Sequence, residues 1–321
     1  MSDSPAPGGE IRHPHLAEYG LLALLSLLWG SSFLAIKIAD DHGMPPMSLA
    51  ALRIGIGAVF LLSYAARLGQ TWPSPRRRGG SALWLRILFL GVVGNSVPFF
   101  LISWGEQSTT SQLAGILMAI IPMMVVILTH FFTIDERLSA PKLIGVLLGL
   151  AGVVVLVGVD ALKGLGAQVV GQALIIGGCF SYSLYGVTAR HLPKLPAQML
   201  IGVILLAGFV ALLPIWLVHD RPWTIDWQWQ AVVAVVWLGL VATGCGNLLF
   251  YLLLRRAGAG FASFNNYLVP LLALLWGYLV LGEQPHLNAL VALVLILAGL
   301  AVARLTGFRL RRARPAKASQ G

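Results

Sequence analysis

The sequence predicts an all-α integral membrane protein in which ten transmembrane helices form two inverted five-helix repeats. Hydrophobic residues fill 58% of the 321 positions and charged residues only 11%, whereas soluble domains are about 45–50% apolar and about 25% charged. Ten apolar windows are each long enough to cross a hydrocarbon core of about 30 Å. In addition, the second half of the chain repeats the pattern of the first half.

Charged residues, Pro and Gly separate the apolar windows along the chain. At about 1.5 Å of helix per residue, some 20 apolar residues cross the bilayer. We place the windows at 18–39, 48–68, 84–104, 109–132, 141–159, 170–190, 197–218, 231–254, 260–281 and 286–304.

The loop charges give an independent test of this count. With ten spans and both termini in the cytoplasm, 18 of the 22 Lys and Arg residues fall on the cytoplasmic side. Only Lys163 and Arg221 fall in outer loops, and Lys37 and Arg53 lie inside spans. This bias is the one that orients inner-membrane proteins, so the sequence predicts a multi-pass protein of the plasma membrane with both termini inside.

The repeat is visible in two alignments of the chain with itself. LGVVGNSVPFF at 90–100 aligns with LGLVATGCGNL at 238–248, an offset of 148, and WGSSFLAIK at 29–37 aligns with FSYSLYGVT at 180–188, an offset of 151. Five spans per unit force the second unit into the membrane upside down, an arrangement that places a solute site at the repeat interface. The predicted division is a disordered cytoplasmic N-terminus at 1–17, repeats at 18–159 and 170–304, and a basic cytoplasmic tail at 305–321.

Several of these stretches together carry a family resemblance. WGSSFLAIKI, IIPMMVVILTHFFTIDERLSAPKLIGVLLGLAGVVVLVG and its echo LVPLLALLWGYLVLGEQPHLNALVALVLILAGLAV resemble the EamA-type branch of the drug/metabolite transporter superfamily. The resemblance covers about residues 18–304. It implies a ten-helix carrier of a bacterial inner membrane that works by alternating access, with a cavity lined mainly by helices 1, 3, 4, 6, 8 and 9. Many members export amino acids or other small metabolites.

Polar side chains inside apolar spans are candidates for the lining of that cavity, because a polar group without a partner in hydrocarbon costs several kcal/mol. The alternative for the serines and amides is structural: close packing of helices through small residues, with hydroxyls bonded to their own backbone. A Trp near mid-span must find a hydrogen-bond acceptor inside the protein or in a wet cavity. The candidates are Trp29, Ser31, Ser32, Asn95, Trp104, Ser183, Tyr185, Asn247, Asn265, Asn266 and Tyr267, with Pro98, Pro122 and Pro270 as helix-kink positions.

Lys37 and Arg53 are the cations within spans, and both lie in the outer third. We hypothesise that Lys37, together with Arg53, attracts the carboxylate or another anionic group of a solute. The alternative for Lys37 is that it snorkels to the surface or pairs with Asp40 or Asp41 one turn further on.

The twelve carboxylates all fall in tails, in loops or near the ends of spans. A proton relay or an exporter of lipophilic cations commonly needs a carboxylate deep in the membrane. The sequence therefore favours export of amino acids or similar small zwitterionic or neutral metabolites, and uniport is as compatible with it as coupled transport. The alternatives are efflux of drug-like amphiphiles and a membrane scaffold without transport activity.

Other classes of protein find no support in the sequence. The seven histidines are scattered and no metal-binding, phosphate-binding or Cys–His motif is present, so neither an enzyme, a cofactor nor a metal site is predicted. No filter-like sequence indicates a channel. The basic pI near 10.1 follows from basic cytoplasmic loops and predicts no nucleic-acid partner. The predicted partners are a small-molecule solute and the lipid bilayer, and the sequence leaves open whether the protein is a homodimer.

Overall fold

The computed structural model describes residues 15–74, 80–132, 140–157, 167–189, 192 and 195–312. The predicted tails at 1–17 and 305–321 lie mostly outside these ranges, as do the cations of the loops at 75–79 and 133–139. The described residues are mostly helical, with no strand among them, as expected of an all-α protein.

A helix occupies each of the ten apolar windows. The helices are α1 (Leu16–Asp41), α2 (Pro46–Arg67), α3 (Gly80–Glu106), α4 (Ser111–Phe132), α5 (Ala140–Val157), α6 (Ala167–Thr188), α7 (Ala197–His219), α8 (Trp229–Gly258), α9 (Asn265–Leu281) and α10 (Leu287–Arg312). Within the described residues, seven helices are long and apolar enough to cross a membrane. The apolar stretches Ala140–Leu156, Asn265–Leu281 and Leu287–Val302 are shorter, so a crossing by all ten helices stays a prediction.

Local sequence explains where several helices begin and end. The backbone N–H of His15 donates to Glu18 at 2.7 Å, which closes the start of α1, and Pro46 occupies the first turn of α2, where its missing N–H costs nothing. The helices α8 and α9 end where Gly258 and Gly282 take φ values of 78° and 66°, a conformation that favours glycine.

The helix pairs that join the first five helices to the last five occur in matched sets. Helices five places apart in the chain are counterparts, for example α1 and α6 or α3 and α8. If every helix is replaced by its counterpart, the pair α1–α9 becomes α4–α6, α3–α6 becomes α1–α8, and α3–α7 becomes α2–α8. All six of these pairs are in contact. The pairs α2–α7, α4–α9 and α5–α10 convert into themselves and are also in contact. A buried cluster that includes Phe33, Ile36, Ile116, Leu117 and Ile175 fills the centre between α1, α4 and α6.

Glycines at equivalent positions of the two halves lie at two of these helix contacts. A Cβ atom on Gly91 would lie 2.6 Å from the amide nitrogen of Gly208, and one on Gly57 would lie 3.3 Å from the carbonyl oxygen of Gly239. Gly239 stands 148 residues after Gly91, and Gly208 stands 151 residues after Gly57. Small residues therefore let α3 approach α7, and α8 approach α2, at equivalent places.

Candidate functional site

One end of the helix bundle is fastened by two carboxylates that cap helix N-termini. Asp220, after α7, accepts hydrogen bonds from the backbone N–H and the hydroxyl of Ser48 at 2.7 and 2.6 Å. Glu283, after α9, accepts from the N–H and hydroxyl of Ser111 at 2.9 and 3.0 Å and from the N–H of Gln112 at 3.1 Å. Acceptors at helix N-termini satisfy the free N–H groups and complement the helix dipole. We call this the latched end.

Lys37 belongs to the latched end. Its Nζ lies 3.6 Å from an Asp40 oxygen and 3.4 Å from an Asp41 oxygen, and it donates to the carbonyl oxygen of Glu106 at 3.3 Å. The ion pair with the following turn, which the sequence allowed as an alternative, is present. Protein acceptors thus engage the ammonium in this conformation, while its role toward a solute stays a prediction.

Arg53 lies about two turns after the start of α2 at Pro46 and is 8% exposed. Its Nε donates to the hydroxyl of Thr243 at 2.9 Å, and its guanidinium carbon lies 4.0 Å from the centre of the Phe99 ring. The ring of Tyr182 packs edge-on against Phe99, with centroids 6.1 Å apart. Among the described residues, Nε makes its one hydrogen bond, so both terminal nitrogens remain available for a ligand.

The group around Arg53, which we call the arginine site, draws on both halves of the chain. Arg53 and Phe99 come from α2 and α3, and Tyr182 and Thr243 come from α6 and α8. Of these four residues, only Arg53 is a candidate from the sequence. The internal repeat gives a signal for two of the others: Thr243 stands at the offset of 148 from Asn95, and Tyr182 lies in the stretch that aligns with WGSSFLAIK. Phe99 has no such signal.

The arginine site borders segments of π-helix in α3 and α8. Val92–Ser96 in α3 and Trp237–Cys245 in α8 are π-helical, and residues 92–96 fall on 240–244 at the offset of 148. π-helical turns are rare and occur frequently at functional sites, since they leave backbone groups free for other partners. Both Thr243 and the candidate Asn95 lie in these segments.

Trp29 forms a hydrogen bond to the backbone of the α8 π-helix. Its indole N–H donates to the carbonyl oxygen of Ala242 at 3.1 Å, its ring lies 5.4 Å from that of Phe250, and Gly246 leaves the space that the indole fills. The sequence required an acceptor inside the protein for this N–H, and the α8 π-helix supplies it. Trp29 therefore joins α1 to α8 beside the arginine site.

The candidate serines bond mainly to backbone carbonyls. Ser31 and Ser32 donate to Leu28 at 2.9 and 3.4 Å, and Ser183 donates to Cys179 at 2.7 Å, the pattern of hydroxyls folded back on their own helix. Ser31 also accepts a hydrogen bond at 3.0 Å from the indole of Trp237, a residue that the sequence analysis did not single out. In this conformation these hydroxyls take part in helix packing.

The candidate amides divide into engaged and free side chains. The buried Asn265 accepts from Ser26 at 2.8 Å and thereby joins α9 to α1, and Asn247 donates to the carbonyl of Thr243 at 2.7 Å. Asn95 is half-buried and forms no hydrogen bond with any described residue. Asn266 is half-buried as well.

The aromatic and proline candidates are more dispersed. Tyr185 packs over Gly94 in the α3 π-helix, close to the arginine site, and Tyr267 packs against Phe264. Trp104 is 46% exposed beside Phe100 on the outside of the bundle. Pro98 follows the α3 π-helix, Pro122 follows an interruption of α4 at residues 119–120, and Pro270 lies within the continuous α9.

Glu106 lies at the end of α3 and is more deeply buried than its sequence position indicates. Its position at the end of α3 agrees with the expectation for the carboxylates, but the side chain is 0% exposed. The sequence GEQSTT contains no signal for this burial, because it results from the packing of helix ends that are distant in the chain.

The opposite end of the bundle is fastened by an amide. The side-chain carbonyl of Gln70, after α2, accepts from the backbone N–H of Met199 at 3.2 Å, and its side-chain N–H donates to the side-chain carbonyl of Gln198 at 3.2 Å. Met199 stands 151 residues after Ser48, so this cap is the counterpart of the one at Asp220. A pocket near this end is lined by Arg86, Phe89, Leu90, Thr188 and Leu192.

Comparisons with known proteins give the family context of this geometry. The sequence profile of the EamA-like transporter family matches residues 17–158 and again 169–305. The chain is 28% identical to the "Aromatic amino acid exporter YddG" of Ancylobacter novellus over 88% of this chain and 95% of the relative. It is 29% identical to a "Probable terminal-alkyne amino-acid exporter" of Streptantibioticus cattleyicolor, over 87% and 90%.

Two further comparisons agree with these. The "Uncharacterized transporter YoaV" of Bacillus subtilis is 25% identical over 86% of this chain and 92% of its own length. A solved crystal structure superposes with a TM-score of 0.65 at 22% identity, over 91% of this chain and 99% of that chain. At that identity the superposition shows a shared fold.

Proposed function

Because the chain belongs to the EamA-like transporter family, we propose that it is a secondary carrier that exports amino acids or similar small zwitterionic or neutral metabolites. The observation that carries the proposal is Arg53, a buried cation between the two halves of the chain with both terminal nitrogens unengaged by described residues. A guanidinium fork matches a carboxylate with two parallel hydrogen bonds. Two relatives are named as exporters of amino acids, which supports this solute class.

The walls of the arginine site favour a carboxylate attached to an apolar or aromatic body. Phe99 lies under the guanidinium and Tyr182 packs against Phe99, while Tyr185 lies nearby over Gly94. Aromatic rings present an apolar face to a solute side chain. The proposed pose places the solute carboxylate on Arg53 and its side chain along these rings.

The proposed architecture is ten membrane crossings in two inverted repeats. The matched helix pairs, the glycines at equivalent contacts and the two π-helices at one offset support it, because a two-fold relation between the halves generates each of them. With both termini in the cytoplasm, the latched end faces the outside of the bacterial inner membrane. Closure by Asp220 and Glu283 then corresponds to the outward-closed state of an alternating-access cycle.

Counterflow in proteoliposomes tests the transport activity. Vesicles loaded with unlabelled L-phenylalanine should accumulate labelled L-phenylalanine transiently, and the initial rate should saturate. The same vesicles should be tested with the other amino acids and with a lipophilic cationic dye. Dye transport without amino-acid transport would favour efflux of amphiphiles, and no flux of any solute would favour a scaffold.

Reporter fusions test the topology separately. Fusions at the N-terminus and the C-terminus should both report the cytoplasm, while a fusion in the loop after Asp220 should report the outside. Termini on opposite sides of the membrane would refute the ten-crossing arrangement.

A further inference from the structure

Glu106 at the latched end is a carboxyl group without solvent and without a hydrogen-bond donor. The side chain is 0% exposed, and neither Oε1 nor Oε2 has a hydrogen-bond partner among the described residues. Glu283 shows the contrast, because three donors from the start of α4 converge on its carboxylate. Lys37 approaches Glu106 but donates to its backbone carbonyl.

The charges around Glu106 do not supply a partner either. Those that act on it electrostatically are Glu283, Lys37, Asp40 and Arg53, and none of the described cations forms an ion pair with it. Lys37 is already paired with Asp40 and with Asp41 of the same helix. An unpaired carboxylate taken out of water costs several kcal/mol, and a bound proton removes that cost.

The other helices around α3 add no cation at this point. Asp220, which follows α7, is engaged by Ser48 of α2. The described residues of α4 and α6 include no Asp, Glu, Lys or Arg, and His130 of α4 lies at the far end of that helix. What α6 does bring is Gln172, whose Oε1 is another buried acceptor without a donor among the described residues.

Glu106 and Gln172, whose side-chain oxygens lack a donor, both lie next to one contact between two helices. The helices α3 and α6 approach so closely at Gly105 and Gly171 that a Cβ on Gly105 would lie 2.6 Å from the carbonyl oxygen of Gly171. Glu106 and Gln172 each follow that contact by one residue. One proton removes the charge of Glu106 and turns its carboxyl group into a hydrogen-bond donor.

We infer that Glu106 is a proton-binding site, occupied when the latched end is closed, and that its proton strengthens the binding of a carboxylate at Arg53. The second part rests on the proposed function. Glu106 stands seven residues, or about two helical turns, after Phe99 on α3, and the Phe99 ring contacts the Arg53 guanidinium, so a negative Glu106 offsets the cation that a solute carboxylate needs. Linkage is reciprocal: a carboxylate that binds at Arg53 draws a proton onto Glu106.

Infrared spectroscopy of the purified full-length protein at neutral pH tests the proton site without any solute. The difference spectrum between the wild type and Glu106→Gln should show loss of a protonated-carboxyl C=O band. The matched variant Glu283→Gln should show loss of ionised-carboxylate bands, because its carboxylate accepts three hydrogen bonds. Loss of ionised-carboxylate intensity in Glu106→Gln would overturn the inference, since it would mean that Glu106 is charged and hydrated by trapped water.

Proton uptake on solute binding tests the linkage. The measurement is made at an alkaline pH at which the solute-free wild type has begun to lose its protonated-carboxyl band. On addition of L-phenylalanine to weakly buffered protein at that pH, a pH indicator should report uptake of protons by the wild type and none by Glu106→Gln, which should still bind. Above that pH the affinity of the wild type should fall, approaching tenfold per pH unit for one linked proton, and the affinity of Glu106→Gln should stay constant. Release of protons on binding would refute the linkage. If the wild type binds no amino acid, the proposed function and the linkage fail together, while the infrared result still decides the proton site.

Discussion

Replacement of Arg53 by Met should weaken the binding of a solute carboxylate by about 2–3 kcal/mol. In the structure Nε is taken by Thr243 at 2.9 Å and the guanidinium lies 4.0 Å from the Phe99 ring centre, which leaves the terminal nitrogens for the solute. A hydrogen bond to a charged group contributes about 1.5–3 kcal/mol. Since about 1.4 kcal/mol is tenfold in affinity, the loss should be roughly 30–150-fold.

Arg53→Lys should lie between the wild type and Arg53→Met. The ammonium keeps the charge but has no planar arrangement of N–H donors. It therefore cannot donate to the Thr243 hydroxyl and at the same time form two parallel hydrogen bonds to a carboxylate. We expect a loss of roughly tenfold, about 1.4 kcal/mol.

The assay compares two solutes in counterflow with proteoliposomes: L-phenylalanine and its amide, which lacks the carboxylate. If Arg53 binds the carboxylate, the Met variant should lose affinity for L-phenylalanine and change little toward the amide. This comparison isolates the interaction between one side chain and one solute group, as a double-mutant cycle does. Equal losses for both solutes, or none for either, would refute the reasoning.

The stability of the Met variant separates binding from folding. A buried charge is costly, and its replacement by an apolar side chain of similar length is often neutral or stabilising. Thermal unfolding in detergent should therefore occur at the same or a higher temperature than in the wild type. A marked drop would mean that Arg53 chiefly holds α2 to α8.

Three further predictions concern the packing of the helices, and each is measured by thermal unfolding in detergent. Gly91→Ala should destabilise the folded protein by about 1–3 kcal/mol, because the new Cβ would meet backbone atoms of α7 at 2.6 Å. Gly20→Ala is the control, since no atom lies within 4 Å of its Cβ. Equal effects of the two substitutions would contradict close packing at Gly91. Trp29→Phe should cost about 1 kcal/mol through loss of its hydrogen bond to α8, and an unchanged midpoint would show that this bond adds nothing. Asp220→Asn should cost about 1 kcal/mol through the weakened cap at Ser48, a loss that should shrink at high salt; a salt-independent loss would argue against a charge effect.

The arginine site shows how far sequence reasoning reaches. A cation inside an apolar span is expensive enough that its residue type and position already mark Arg53 as functional. Its partners Phe99, Tyr182 and Thr243 are ordinary residues of apolar helices, and three separate helices bring them to the guanidinium. Nothing local distinguishes them from the many other aromatic and hydroxyl side chains in the spans.

The helices of this protein can be read from residue types along the chain. Apolar length fixes the helices, because backbone groups in hydrocarbon must be paired within the segment, and the repeat at offsets of 148 and 151 relates the two halves. These properties depend on residue type along one helix, which a sequence displays directly.

Which polar groups form hydrogen bonds and which do not follows from the packing of the helices in three dimensions. It assigns Lys37 to Asp40 and Asp41, leaves the fork of Arg53 open, and encloses Glu106 without a donor. The physical reason is that burial and hydrogen bonding depend on the distances between helices far apart in the chain. Those distances are set by where small residues let the helices touch.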